Sequence, residues 1–247
     1  MMNYLWKHKS NISSTNKTSF IHTDIHSHLL PGIDDGAKTY EESILLIQRF
    51  VALGYKKIIT TPHIMSDFYR NTPEIIHSKL QKLRNKIKEQ NLDIEIDAAA
   101  EYYMDDWFIN QVNIKKPFLT FGDRFLLIET SFMSKPNQFF DAIFKLQTQG
   151  YKPILAHPER YTYLQSDFSL AEKIHQKKIF LQINLNSLDG YYGKAAQKTA
   201  EKLIDKKMIH FVGSDCHGKR HLDSLHKVQK KKYYLKLKNL SLINNEL

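Results

Sequence analysis

Two histidines one residue apart follow an apolar, strand-like run in Asp24-Ile25-His26-Ser27-His28. Side chains alternate faces along an extended chain, so His26 and His28 point the same way and suit a shared metal ion. The pattern recurs along the chain. His63 follows a second strand-like run, Glu101 a third, Glu129 ends a fourth, His157 follows a fifth, and Asp215 and His217 follow a seventh. The sixth offers only a neutral residue, Asn184 or Asn186. One histidine near a strand end is ordinarily a hydrogen-bonded structural residue, but the same coincidence at six of seven strand ends calls for a common cause.

Imidazole and carboxylate donors without thiolates select manganese, iron or zinc. Eight such residues are too many for one ion, so two or three ions with a bridging carboxylate are expected. Asp35, in the turn PGIDDGA (31–37), adds an oxygen donor, whereas Asp34 reads as a turn or helix-capping residue. Asp24 lies on the face of His26; it either orients a ligand or is a buried strand carboxylate bonded to backbone. Adjacent ions lower the pKa of a shared water and clamp the oxygens of an in-line displacement, a chemistry suited to phosphoester hydrolysis. Arg160, three residues after His157 in His-Pro-Glu-Arg-Tyr, supplies a planar cation suited to bidentate phosphate contact, the alternative being a surface salt bridge.

The elements that must position these residues are short β-branched and aromatic runs at 20–25, 56–60, 94–99, 125–129, 152–156, 179–184 and 209–213, alternating with amphipathic segments. A helix is expected over 39–54, with Thr39 and Glu42 as a capping box and Gly54 as its stop. A second is expected over 72–90, capped by Thr72 with Pro73 at the first helical position. Seven β–α units mean a parallel sheet and suit an α/β barrel, whose working residues lie at the C-terminal ends of the strands.

The chain has 247 residues and 42% hydrophobic content, enough for one large domain with a full core. Residues 1–19 read as a polar extension without the apolar stretch of a secretory signal, and 20–247 as the domain. One cysteine, Cys216, excludes an intrachain disulfide. No run approaches the roughly 18 apolar residues of a membrane span, and a cytoplasmic protein is the default. The net charge of +10 is spread along the chain, and its densest stretch, 227–238, reads as the solvated face of a C-terminal helix, so nucleic-acid binding is not the favoured role. A cysteine-phosphatase loop would need arginine at position 222, which is Leu222; Cys216 reads as a small buried residue. His8, His77, His175, His221 and His226 read as surface residues, and His22 and His210 as hydrogen-bonded within strands. Tyr102, Tyr103, Tyr161, Tyr191 and Tyr192 suit either a cleft for an aromatic substrate or packing. Oligomeric state is left open.

The motifs DIHSHLLPGIDDGA (24–37), TPH (61–63), AAEYY (99–103), LIETS (127–131), AHPERY (156–161) and GSDCH (213–217) resemble, in order, those of the PHP (polymerase and histidinol phosphatase) superfamily. Within it they are most similar to the bacterial CpsB/CapC-type tyrosine-protein phosphatases, from about residue 20 to 235. The resemblance implies a distorted (β/α)7 barrel holding three metal ions, usually manganese, with iron or zinc as alternatives. It implies His26, His28, Glu101 and Asp215 on the first ion; Glu101, Glu129 and His157 on the second; Asp35, His63 and His217 on the third; and Arg160 on the substrate phosphate. Glu129, where other PHP groups carry histidine, favours the tyrosine-phosphatase branch. The implied substrate is a phosphotyrosine protein, a tyrosine kinase of capsule or exopolysaccharide assembly with a tyrosine-rich tail. The rival readings are another phosphoesterase, of histidinol-phosphate or nuclease type, and a non-catalytic metal-binding subunit of polysaccharide export.

Overall fold

Parallel strands and intervening helices alternate through residues 19–247, the part of the chain that the computed structural model describes. The expected extension at 1–19, with His8, lies outside the described residues except for Ser19, whose hydroxyl meets that of Tyr234 at 2.8 Å. Among the described residues the strands are β1 (Thr23–Asp24), β2 (Lys57–Thr60), β3 (His63–Ile64), β4 (Glu95–Ala98), β5 (Glu101–Tyr103), β6 (Phe125–Glu129), β7 (Lys152–Ala156), β8 (Phe180–Asn184) and β9 (Phe211–Gly213). All pair in parallel, as a three-stranded sheet β1-β2-β4 and a six-stranded sheet β3-β5-β6-β7-β8-β9. A parallel bridge between Ser27 and Cys216, with His28 N–H donating to the Cys216 carbonyl at 2.9 Å, ties the segment after β1 to the segment after β9.

Seven continuous strands are therefore not what forms. The expected second and third strands each break and resume, because Pro62 has no N–H for the ladder and Thr61 N–H donates to the Ser27 carbonyl instead, at 2.7 Å. The resumed pieces begin at His63 and Glu101, which face each other in register, so these two residues open strands rather than follow them. The first strand is two residues long, not six, since the chain beyond Asp24 leaves the sheet and bonds toward 215–216.

The helices are α1 (Tyr40–Ala52), α2 (Pro73–Glu89), α3 (Asp106–Asn113), α4 (Phe139–Thr148), α5 (Thr162–Ser166), α6 (Phe168–Gln176), α7 (Lys194–Asp205), α8 (Lys219–Val228) and α9 (Lys232–Lys236). Thr39 caps α1 by accepting from Glu42 N–H at 3.2 Å, while the Glu42 carboxylate reaches back to Lys38 N–H, one residue beyond the ideal capping box. Thr72 caps α2, with Pro73 at its start. The basic stretch 227–238 is broken between α8 and α9; Tyr234 and Leu237 anchor it in the core while Lys231 and Lys236 pair with Asp189 and Asp205. The larger apolar core, including Leu46, Phe50, Leu83, Leu126, Leu155 and Leu203, joins helices to strands. A second, smaller core collects Ile25, Ile59, Ala99, Phe121, Phe125, Leu127, Ile154, Ala156 and Phe211.

Candidate metal centre and cleft

Strand periodicity carries the inward face from this smaller core directly into polar residues. Phe125, Leu127 and Glu129 share one face of β6, Ala99 leads to Glu101, and Phe211 leads through Gly213 to Asp215. His157 and Asp215 lie just past β7 and β9 with φ of 32° and 49°, left-handed values that cost a non-glycine residue about 1–3 kcal/mol. Backbone bonds hold them there: the His157 carbonyl accepts from Arg160 N–H at 2.9 Å, and Asp215 N–H donates to the His26 carbonyl at 2.8 Å. The turn bearing Asp34 and Asp35 packs so closely that a Cβ at Gly36 would lie 2.4 Å from that of His28.

All nine expected ligands converge. His26 Nε2 lies 3.0 Å from Glu101 Oε2 and 3.5 Å from Asp215 Oδ1, and His28 Nε2 lies 3.5 Å from each of the same two oxygens. Glu101 turns its other oxygen to His157 Nε2 at 3.0 Å, which is 3.7 Å from Glu129 Oε2. Asp35 Oδ1 stands 3.6 Å from His63 Nε2 and 3.3 Å from His217 Nε2. The second nitrogen of His63 is 3.0 Å from Glu129 and 3.2 Å from Glu101, so this ring faces two of the groups at once. His28 Nε2 and His63 Nδ1 are buried yet hydrogen-bond to nothing among the described residues. Unshared nitrogens among carboxylates about 3–3.5 Å away have the spacing of neighbouring ligands each roughly 2.1 Å from a common ion, so the residues fit divalent metals. Sets such as His28–Asp35–His63–His217 and His26–His28–Glu101 each bring one donor atom per residue within 4.8 Å of the others.

Without metal, the cluster holds protons. Burial lowers the pKa of His26, but the Glu101 and Asp215 carboxylates raise it to about 10. His63 reaches about 10 in the same way, through Glu101 and Glu129. Burial disfavours charge on Glu101 and Asp215 as well, yet the imidazoles around them keep both well below the usual carboxylate range. Asp34 does more than make a turn: it accepts from His28 Nδ1 at 2.8 Å and from Gly36 N–H at 3.0 Å, fixing the tautomer that leaves His28 Nε2 free. Asp24 takes its second reading, bonding Ser214 N–H at 2.7 Å and its hydroxyl at 3.0 Å, with burial pushing its pKa up to about 7.

A cleft of about 360 Å³ opens over the cluster, lined by members of it and by Met65, Tyr69, Tyr103, Phe132, Met133 and Arg160. Arg160 donates to Asp215 Oδ2 at 2.8 Å, and its guanidinium lies 4.5 Å from the Phe132 ring centre and 4.3 Å from that of Tyr192. A surface salt bridge is thus the wrong description. Tyr103 lines the cleft, Tyr102 and Tyr161 are buried packing residues, and Tyr192 donates to Asp215 at 3.3 Å. Phe132 escapes sequence reading, and Tyr192 stands out there only as one tyrosine among several, because nothing in their spacing ties them to Arg160.

Cys216 is buried, and burial raises its thiol pKa, so it is no nucleophile. His22 is exposed rather than bonded in a strand, because only its carbonyl faces the sheet, accepting from Lys56 and Lys57. His210 stands one residue before β9 rather than within a strand, yet makes the expected hydrogen bond, accepting from Leu181 N–H at 3.2 Å. His77 and His226 are exposed, but His175 is half-buried against His210, and His221 half-buried against His217 with ring centres 5.4 Å apart. No helix among the described residues is long and apolar enough to cross a membrane.

Residues 22–245 match the family described as capsular polysaccharide synthesis, CpsB/CapC. The chain is 31% identical over 196 residues to the tyrosine-protein phosphatase YwqE of Bacillus subtilis strain 168, covering 79% of this chain and 77% of that protein. It is 29% identical over 201 residues to the tyrosine-protein phosphatase CpsB of Streptococcus pneumoniae, covering 79% of this chain and 82% of the relative. A solved chain from the crystal structures of YwqE and CpsB, described as unique metal-dependent tyrosine phosphatases, superposes with a TM-score of 0.77 at 28% identity, over 89% of this chain and 96% of that one.

Proposed function

The chain belongs to the CpsB/CapC family of capsular polysaccharide synthesis proteins, and from that membership we propose that it is a metal-dependent protein-tyrosine phosphatase. The observation that carries the reading is the convergence of four overlapping imidazole–carboxylate groups under one cleft with Arg160 at its wall. In this proposal residues 20–247 form the catalytic domain, and the two sheets, bridged at Ser27 and Cys216, act as one distorted (β/α)7 barrel. His26, His28, Glu101 and Asp215 hold the first ion, Glu101, Glu129 and His157 the second, and Asp35, His63 and His217 the third, with manganese as the metal. Contacts of 3.0–3.7 Å within each set support this partition, while His63 Nδ1, 3.0 Å from Glu129, and His217 Nδ1, 3.4 Å from Asp215, join one set to the next.

Bound divalent ions supply a water of lowered pKa and neutralise charge on a phosphoryl group. The chain's own residues do the rest. Arg160 spends one N–H on Asp215 and turns a cation to the cleft, where its remaining donors suit phosphate oxygens. The aromatic and thioether walls suit a phenyl ring and exclude water from one side of it. Water oxygen bonds to phosphorus in line as the phosphorus–phenolic oxygen bond breaks, the water's proton passing to solvent and from there to the departing oxygen; tyrosine's pKa near 10 makes the phenolate a tolerable leaving group without a strong acid. The proposed location of this chain is the cytoplasm, and the proposed substrate a tyrosine kinase of capsule or exopolysaccharide assembly with a tyrosine-rich tail.

The test is phosphate release from a phosphotyrosine peptide, a phosphoserine peptide, histidinol phosphate and single-stranded DNA, after chelation and again with Mn2+. Metal-restored release from phosphotyrosine alone is expected. Release only from another substrate would move the protein to a different phosphoesterase activity, and silence on all four with metal bound would favour a binding subunit.

A further inference from the structure

His26 differs from its neighbours in what holds it. His28 Nδ1 faces a carboxylate and His217 Nδ1 faces the Asp215 carbonyl at 2.9 Å, acceptors that admit only an N–H. His26 Nδ1 instead meets the side-chain amide of Gln182 at 2.8 Å, and an amide offers an acceptor at one end and a donor at the other. Contact alone leaves the tautomer undecided, but the next links decide it. Gln182 and Asn184 are two residues apart on one face of β8, both fully buried, with Gln182 Nε2 3.0 Å from Asn184 Oδ1 and Asn184 Nδ2 2.6 Å from Asp215 Oδ2.

The polarity runs from Asp215. An ionised carboxylate only accepts, so Asn184 must present its NH2 to Asp215 and its oxygen to Gln182. Gln182 must then present its NH2 to Asn184 and its oxygen to His26, whose Nδ1 is left as the donor. Asp215 Oδ2 also receives Arg160 Nη1 and the Tyr192 hydroxyl, so its Oδ1 is the oxygen left facing His26, His28 and His217. Gly213, across from Asn184 in the β8–β9 register, makes room for the relay: a Cβ there would lie 2.6 Å from His26 Cβ and 2.9 Å from Gln182 Nε2.

We propose that Gln182 and Asn184 are positioning residues, a directed amide relay that fixes His26 in its Nδ1–H tautomer and Asp215 with Oδ1 free, so that both present a lone pair to the same ion. The proposal rests on the metal-centre reading above. Residues that orient a metal ligand through a hydrogen bond typically contribute 10–100-fold to affinity or activity.

The experiment uses the full chain, 15N-labelled at histidine and loaded with diamagnetic Zn2+, with long-range 1H–15N spectra locating the ring proton of His26. The relay predicts hydrogen on Nδ1. Gln182→Leu is expected to weaken Zn2+ binding at one site by about 10–100-fold, whereas Gln182→Glu, which keeps an acceptor for His26 but no donor for Asn184, restores the Nδ1–H signature with intermediate affinity. The wild-type spectrum decides the tautomer even if a variant fails to fold. Bound Zn2+ with the proton on Nε2, or Gln182→Leu binding Zn2+ within twofold of wild type, overturns the relay alone; a wild-type chain that takes up neither Zn2+ nor Mn2+ overturns the metal centre and the relay with it.

Discussion

The inward face of the strands has two ends of opposite character. At one end Phe125, Leu127, Ile154 and Phe211 pack together in one buried apolar cluster. Glu129 stands two residues past Leu127 on β6 and Asp215 four past Phe211, just beyond β9, with Glu101 of β5 and Asn184 of β8 beside them, equally buried but charged or polar. The apolar end stabilises by removing surface from water; the polar end costs desolvation and offsets it through imidazole–carboxylate attraction, ordered partners and, in our proposal, metal. The contrast teaches that stability and chemistry are separated along each strand, and the two ends should respond differently to mutation.

Glu101→Gln should produce the largest effect on function, because both oxygens of Glu101 meet histidines: phosphotyrosine hydrolysis falls to background and bound metal per chain drops, read by activity and elemental analysis. Arg160→Ala tests the cleft wall: turnover should fall about 10²–10³-fold, the range seen when one transition-state donor is removed, while metal content is retained. Unchanged turnover would remove Arg160 from phosphate binding. At the apolar end, Leu127→Ala should destabilise by about 2–5 kcal/mol in denaturant unfolding while metal content per folded chain stays normal.

A pH series sharpens the comparison further. In the metal-free protein His26 and His63 have pKa values raised to about 10, so they bind more protons folded than unfolded. Their contribution to stability is fully present below about pH 6.5 and is lost as pH rises toward 10. Chelated protein should therefore lose thermal stability from neutral pH upward, and metal, which competes with those protons, should bind more tightly over the same interval. The smallest effect is expected from Cys216→Ala, which removes a buried thiol between two ligands: phosphatase activity within about twofold of wild type, against the complete loss a nucleophile would show.

The candidate ligands stood out because strand periodicity and chemistry coincide: His26, His28, His63, Glu101, Glu129, His157, Asp215 and His217 each lie at or just past a strand-like run, although His63 and Glu101 prove to open strands of their own. What local pattern could not give was long-range contact. Pro62 was visible, but that it splits the second strand and starts another at His63 depends on Thr61 finding Ser27 across the sheet. Asp34 read as a turn residue because the turn is local and its bond to His28 is not. Gln182 and Asn184 left a faint signal, two amides at inward positions of a buried strand; Tyr192 stood out only as one tyrosine among several and Phe132 not at all, since stacking on Arg160 joins three separate segments. Half-burial of His221 depends in the same way on where α8 meets the site.

The central claim is that these converging imidazoles and carboxylates carry hydrolysis through bound metal. It is tested most directly by titrating chelated protein with Mn2+ while measuring ions bound per chain and phosphate released from a phosphotyrosine peptide in the same samples. The account predicts no release from the metal-free chain and a rate that rises with occupancy; full phosphotyrosine hydrolysis by protein shown to hold no metal would contradict it.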